Sequence, residues 1–198
     1  MSPILGIWAS QNYQRVAPDT GAMFPIGMVQ VGSGGASSIT FSSIPSTYSH
    51  LQVRLYGKTQ RTSYSISELK MTFNGDTGNN YAGHYLVAYG NASTLTSASL
   101  VSGPRFQIIG FGANSPSQVG SAVVDVLDYA STSKYKTARI LSGVMTDTAG
   151  AGGYYGNIGL CSGLWQSTSA VTSINIAPED AVNFAPFTNI ALYGIKGA

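Results

Sequence analysis

Charge is what this chain has least of. Asp, Glu, Lys and Arg make up 9% of its 198 residues, against about 25% in an ordinary soluble domain. Ser, Thr, Asn, Gln and 24 glycines stand in for charge, although 43% of the chain is hydrophobic. A surface so short of charge repels copies of itself weakly. It points to a protein that stands beside other protein in an assembly. Cysteine is almost missing as well. The single Cys161 excludes an intramolecular disulfide and any multi-cysteine metal site. The two histidines, His50 and His84, leave little for base catalysis. Basic residues are scattered, densest at Lys134-Tyr-Lys136-Thr-Ala-Arg139, without the basic stripe of a nucleic-acid binder. No apolar run approaches the ~18 residues of a membrane span. Ile4-Leu5-Gly6-Ile7-Trp8 is too short for a secretory signal and has no basic residues before it. The expectation is a soluble protein made in a cytoplasm, with neither nucleic acid nor membrane as partner.

Helical periodicity is also lacking. Short runs alternate apolar and polar side chains instead, separated by turn residues. In His50-Leu-Gln-Val-Arg-Leu-Tyr56, Leu51, Val53 and Leu55 point to one face and Gln52, Arg54 and Tyr56 to the other. Residues 69–73 do the same with Leu69, Met71 and Phe73 inward. Further strands are expected at 27–31, 38–41, 84–89, 106–111, 122–127, 135–141, 158–164, 171–176 and 189–195. Spacings of about 10–15 residues between them, with Gly, Asn, Ser or Pro in the gaps, predict an all-β, antiparallel sandwich, jelly-roll-like in build. Asn74-Gly75 directly after a strand reads as a tight turn, because both residues tolerate positive φ. Pro45 and Pro178 are placed after strands and not within them.

The first 25 residues differ. Residues 11–21 have no period and little to bury, yet Ile4, Leu5, Ile7 and Trp8 lie just before them. An apolar patch beyond a polar linker predicts an extended N-terminal arm (1–25), with Ile4, Leu5, Ile7 and Trp8 as its anchors on a neighbouring subunit or scaffold. The sandwich then spans 26–198. The alternative is an arm folded back over its own sandwich.

Reactive chemistry has few places to sit. His50 opens a strand and His84 lies among tyrosines, so both read as structural hydrogen-bonders. No G-x-S-x-G elbow occurs. Asp125 and Asp128 point to opposite faces of a strand, and Glu179-Asp180 follows Pro178 in a loop, so neither pair makes a glycosidase dyad. Asp125, among valines, is expected to pair across a hairpin with Lys136 or Arg139. Residues 74–80 offer oxygen ligands to calcium but only one carboxylate, Asp76, and read as a turn. Gly32-Ser-Gly34-Gly35 and Gly150-Ala-Gly152-Gly153 precede no helix and so cradle no phosphate. No catalytic residue, cofactor or metal is assigned. Tyr81, Tyr85, Tyr154 and Tyr155, in or beside polar loops, are candidate ligand-facing aromatics, because exposed tyrosines serve sugar stacking and protein interfaces alike.

Six segments share one resemblance: Val31-Gly-Ser-Gly-Gly-Ala-Ser-Ser-Ile-Thr-Phe-Ser-Ser-Ile-Pro-Ser-Thr-Tyr-Ser-His-Leu-Gln-Val-Arg54, Met71-Thr-Phe-Asn-Gly-Asp-Thr-Gly-Asn-Asn-Tyr81, Asp125-Val-Leu-Asp-Tyr-Ala130, Lys134-Tyr-Lys-Thr-Ala-Arg139, Ser162-Gly-Leu-Trp165 and Ala191-Leu-Tyr-Gly-Ile-Lys-Gly197. In order and spacing they resemble a family of small structural proteins of tailed bacteriophages. The resemblance implies a virion component and brings no catalytic residues with it. The expectation that follows is a non-enzymatic structural protein on the outside of the particle, either a capsid decoration (cement) protein or part of a fibre or tail. Its partners would be major capsid or tail proteins and its own copies, as a dimer or trimer. A second reading, from another class, is a carbohydrate- or host-receptor-binding module of a phage fibre that stacks a host surface glycan on its tyrosines. A hydrolase of cell-envelope polymer is the third, and it has the fewest acids and bases to draw on.

Overall fold

A computed structural model describes residues 22–64, 66–90, 95–113, 118–146 and 155–197, with no account of the side chains at 99–101. Twelve strands form among the described residues: β1 (Met23–Gln30), β2 (Ile39–Phe41), β3 (His50–Gly57), β4 (Ile66–Phe73), β5 (Tyr81–Tyr89), β6 (Leu95–Gly103), β7 (Phe106–Gly112), β8 (Gly120–Leu127), β9 (Lys136–Met145), β10 (Gly156–Trp165), β11 (Ile174–Pro178) and β12 (Asn189–Ile195). They make an eight-stranded sheet in the order β1-β12-β3-β8-β9-β10-β5-β6 and a four-stranded sheet in the order β2-β11-β4-β7, with every pairing antiparallel. The chain is an all-β antiparallel sandwich, as its alternating runs predict. If the hairpins β5–β6 and β9–β10 are set aside, the strands left are β1-β12-β3-β8 against β2-β11-β4-β7. The chain passes between these two sheets, and its first strand lies beside its last. We read that interleaving as the double Greek key of a jelly roll, widened by two hairpins on the β8 side.

Alternation places the core. Leu51, Val53 and Leu55 of β3, Val124 and Val126 of β8, and Ile140 of β9 turn inward. They meet Leu69, Met71 and Phe73 of β4, Ile108 of β7, and Ile174 and Ile176 of β11. Each such side chain contributes about 1.5–3 kcal/mol through burial. One end of the sandwich is closed by four rings. Phe73 lies edge-on to Phe106 (centroids 5.1 Å apart) and to Trp165 (5.6 Å), and Tyr81 edge-on to Phe106 (4.9 Å). Edge-to-face pairs of this kind add about 0.5–1.5 kcal/mol each beyond their burial. Gly163 makes the room, since a Cβ there would come within 2.4 Å of the Phe106 ring.

Polar groups hold the same end. Asn74 (φ 53°) and Gly75 (φ 69°) form the expected turn after β4, closed by the Asp76 N–H on the Phe73 carbonyl at 2.8 Å. The Asp76 carboxylate then accepts from the Gly78 N–H (2.9 Å), Asn80 Nδ2 (3.0 Å) and Trp165 Nε1 (2.7 Å). The oxygens that had suggested calcium are thus spent inside a turn. Asn74 Oδ1 accepts from the N–H groups of Thr172 (2.8 Å) and Ser173 (3.1 Å), while the Val171 N–H goes to the Tyr129 carbonyl. This is why β11 begins at Ile174 and not at the expected 171: those amides are taken before a ladder can use them.

Two further expectations are adjusted. β1 starts at Met23, inside the segment read as an arm, so residues 23–25 belong to the sandwich, where they pair with 193–195. Residues 1–21, with the anchors Ile4, Leu5, Ile7 and Trp8, lie outside the described residues. Pro178 is the last residue of β11 and does not follow it. β6, which was not expected, is treated below.

The Trp165 indole sits on Asp76, and that bond holds the carboxyl below its ordinary value of 3.8. A carboxyl depressed on folding stabilises the fold above its unfolded value and loses that contribution as pH falls through the lower folded value. Asp76→Ala leaves the buried indole N–H unpaired. It is expected to cost about 1–2 kcal/mol in urea unfolding at neutral pH. The gap to the wild type should hold steady down to about pH 5 and narrow below about pH 4. A pH-independent gap would contradict this account.

Candidate functional site

The four-stranded sheet covers one face of the larger sheet and leaves the other open. Register lines up what lies on the open face. Arg54 of β3 is opposite Val123 of β8, Val123 opposite Leu141 of β9, Leu141 opposite Leu160 of β10, and Leu160 opposite Leu86 of β5. Val123, Leu141, Leu160 and Leu86 thus form one aliphatic row across four strands, and all four are exposed, Leu141 and Leu160 at 53% each. The next row holds Ser121, Gly143, Ile158 and Ala88. Ile158 in it is exposed, as are Met145 and Val119 beyond it, and all three line one depression with Leu141 and Val123. Single exposed aliphatics are ordinary on a protein surface, whereas a contiguous patch marks an interaction site.

On the other side of the aliphatic row runs a polar one: Gln52, Asp125, Arg139, Ser162 and His84. Gln52 Nε2 donates to Asp125 Oδ1 at 2.8 Å, and Arg54 Nε donates to Gln52 Oε1 at 2.8 Å. Asp125 therefore has Arg139 as its cross-strand neighbour, as expected, but Gln52 holds its carboxylate. Lys136 is not its partner. That side chain is fully buried, with Nζ donating to the carbonyls of Lys134 (2.6 Å) and Thr168 (3.3 Å), and burial pushes its pKa down. Asp125 and His84 lie three strand spacings apart, about 14 Å. No charge relay can join Asp125, Ser162 and His84 across that span.

The other titratable candidates are held in place structurally. The Asp128 N–H donates to His50 Nδ1 at 3.0 Å, which makes that nitrogen an acceptor, and the Asp128 carboxylate lies 3.6 Å from Lys134 Nζ. Glu179 pairs with Arg105 and Asp180 with Arg61. Among the described residues, no three His, Cys, Asp or Glu side chains come together in a way that could hold a metal ion.

The candidate aromatics separate. Tyr81 is fully buried. Its hydroxyl accepts the Phe73 N–H (3.0 Å) and donates to the Asp76 carbonyl (3.1 Å), and burial pushes its pKa up to about 12. Tyr85 is buried two pleat repeats further along the same inward face of β5, and burial raises its pKa too. Both side chains lie in the core: the strand expected at 84–89 begins already at residue 81, so Tyr81 joins Tyr85 on the inner face of β5. Tyr155 is exposed, at 46%. Tyr154 lies outside the described residues.

Sequence reasoning passed over the aliphatic row. Its trace is there in adjacent apolar pairs within strands, Leu86-Val87, Val123-Val124, Ile140-Leu141 and Leu160-Cys161. A half-solvated strand should alternate. Two apolar neighbours mean that both faces are apolar, and nothing local says which is covered.

No protein-family model and no curated protein matches the chain. Among solved structures it is similar to the CBM2 module of the evolved Dit of Lactobacillus casei BL23 phage J-1. The match is at 11% identity and TM-score 0.24, over 81% of this chain and 69% of that one. A likeness at that level carries no argument about function.

Cys161 shows how the two faces of β10 differ. It points inward beside exposed Leu160, and burial pushes its thiol up to about 12. A thiol so protonated and enclosed is a poor nucleophile. Alkylation by iodoacetamide at pH 8 is expected to track global unfolding in urea. Labelling of the folded protein at the rate of a free thiol would show that β10 opens locally.

Proposed function

We propose that this chain is a non-enzymatic structural protein of a tailed-phage virion, carried on the particle exterior as a capsid decoration protein or as a fibre or tail component. It acts by binding other virion subunits. The observation that carries this reading is the exposed aliphatic row Val123-Leu141-Leu160-Leu86 on the open sheet face. Burying that row against protein gains hydrophobic free energy, and its surroundings of Ser, Gly and Ala cost little to desolvate. In the polar row beside it the Asp125 carboxylate already accepts from Gln52, which in turn accepts from Arg54, so a partner need supply no match for that carboxylate. The low charge of the chain and its resemblance to small phage structural proteins agree with this reading. The occupant that fits is a neutral, largely apolar surface on a neighbouring capsid or tail subunit.

A receptor-binding role on a fibre is the second reading. It keeps exposed Tyr155 as a stacking ring but has lost Tyr81 and Tyr85 to the core, so it has less to stand on.

The test is attachment. Leu141→Lys with Leu160→Lys puts two charges on exposed positions of the row. The variant is expected to fold with an unchanged far-UV spectrum and to bind particles lacking the protein at least about a hundredfold more weakly than wild type in co-sedimentation. Undiminished attachment would overturn the outer face as the docking surface.

A further inference from the structure

We propose that β6 is the edge through which two copies of this chain join, antiparallel and about a two-fold axis, so that their eight-stranded sheets run on as one. This deepens the structural reading above by naming one partner, and it rests on the sheet edges instead of the apolar face.

A sandwich of two open sheets has four edge strands, and proteins normally guard such edges against pairing. Three are guarded here. β1 carries Pro25 and a register shift between Pro25 and Gly27, which break its row of outward groups. β2 is three residues long. β7 is buried along most of its length, carries Gly110 at φ 86°, and has its Ile109 carbonyl taken by the Ser142 hydroxyl of the larger sheet. β6 has only a register shift near its end, where Leu100 and Gly103 pair with Gly83 and Tyr81, and residues 95–100 run in unbroken register. It runs for nine residues, Leu95-Thr-Ser-Ala-Ser-Leu-Val-Ser-Gly103, without proline or charge. It pairs with β5 on one side, and no strand lies on its other side among the described residues. Residues 95–98 are all exposed, so both faces of the strand stand clear of the four-stranded sheet.

The six residues in unbroken register, 95–100, extend about 20 Å and present a row of backbone N–H and C=O groups, which is a template for one more strand. A second copy is the occupant that fits. A peptide from another protein would need a free strand of its own, whereas every copy of this chain brings one. Two β6 strands meeting antiparallel satisfy each other at once, and the contact closes at two because neither edge is left over. The absence of charge from 95 to 103 removes the like-charge repulsion that opposes self-pairing elsewhere. Joined this way, the aliphatic rows of both copies lie on the same side of one continuous sheet, and the dimer presents its partner surface twice.

The experiment uses the purified full chain. Thr96→Lys with Ala98→Lys places two charges at exposed positions on β6. Met28→Lys with Gln30→Lys does the same on guarded β1. Sedimentation velocity up to about 1 mM, with far-UV circular dichroism to confirm folding, reads the outcome. Wild type and the β1 variant are expected to be dimers, and the β6 variant to associate about a hundredfold more weakly. Alternate amides within 95–103 should gain hydrogen-exchange protection with concentration in the wild type and not in the β6 variant. Should the double variant not fold, Ser97→Asp alone carries the same comparison. A monomeric wild type, a β6 variant that stays dimeric, or equal dissociation of the β1 variant would each overturn the inference. A dimer lost with the β6 charges, in a protein whose particle attachment ignores Leu141 and Leu160, would keep the inference and discard the docking face.

Discussion

The larger sheet is eight strands wide and the sheet packed against it is four. Every other feature of the molecule follows from that mismatch. A sheet has two faces, and burying one against a narrower partner leaves the second open and one flank overhanging. The open face carries Val123, Leu141, Leu160 and Leu86 in register. The overhanging flank is β6, exposed on both faces at 95–98. Hydrophobic burial inside the sandwich stabilises the chain and leaves the open face and the overhanging flank uncovered.

The mismatch arises from two inserted hairpins. Between them, β5–β6 and β9–β10 add four strands to one sheet and none to the other. They are tied back at the end closed by Phe73, Tyr81, Phe106 and Trp165, where β4 and β7 of the narrow sheet meet β5 and β10 of the wide one. Asp76 is the polar side of the same joint, because the turn after β4 holds it against the Trp165 indole. The joint fixes how the hairpins sit on the sandwich, and so fixes that Leu160 and Leu86 face outward while Cys161 and Tyr85 face inward.

Much of this was legible along the chain. Where one face is apolar and the other polar, as in residues 50–56, alternation names both the strand and its buried side. The Asn74-Gly75 turn was legible because positive φ restricts the residue types that can sit there. β6 was not legible: Leu95, Thr96, Ser97 and Ala98 are all exposed, so that stretch buries neither face and carries no in–out pattern. Tyr81 and Tyr85 misled because Gly78, Asn79 and Asn80 look like a loop, which put the start of the strand at 84 and left Tyr81 in that loop and Tyr85 beside it. The strand's inner face was visible only once Phe106 and Trp165 were known to pack on it. The outward side of Leu86, Val123, Leu141 and Leu160 was equally closed to local reading, since each has an apolar neighbour in its own strand.

Local chemistry determined that the chain is all-β, where most strands run, where the tight turn falls, and how scarce charge is. Tertiary structure decided which of two apolar faces is covered, which strand is left at an edge, and which tyrosines are core. The reason is physical. Pleat and φ preference are properties of a few adjacent residues, whereas burial depends on what arrives from a hundred residues away.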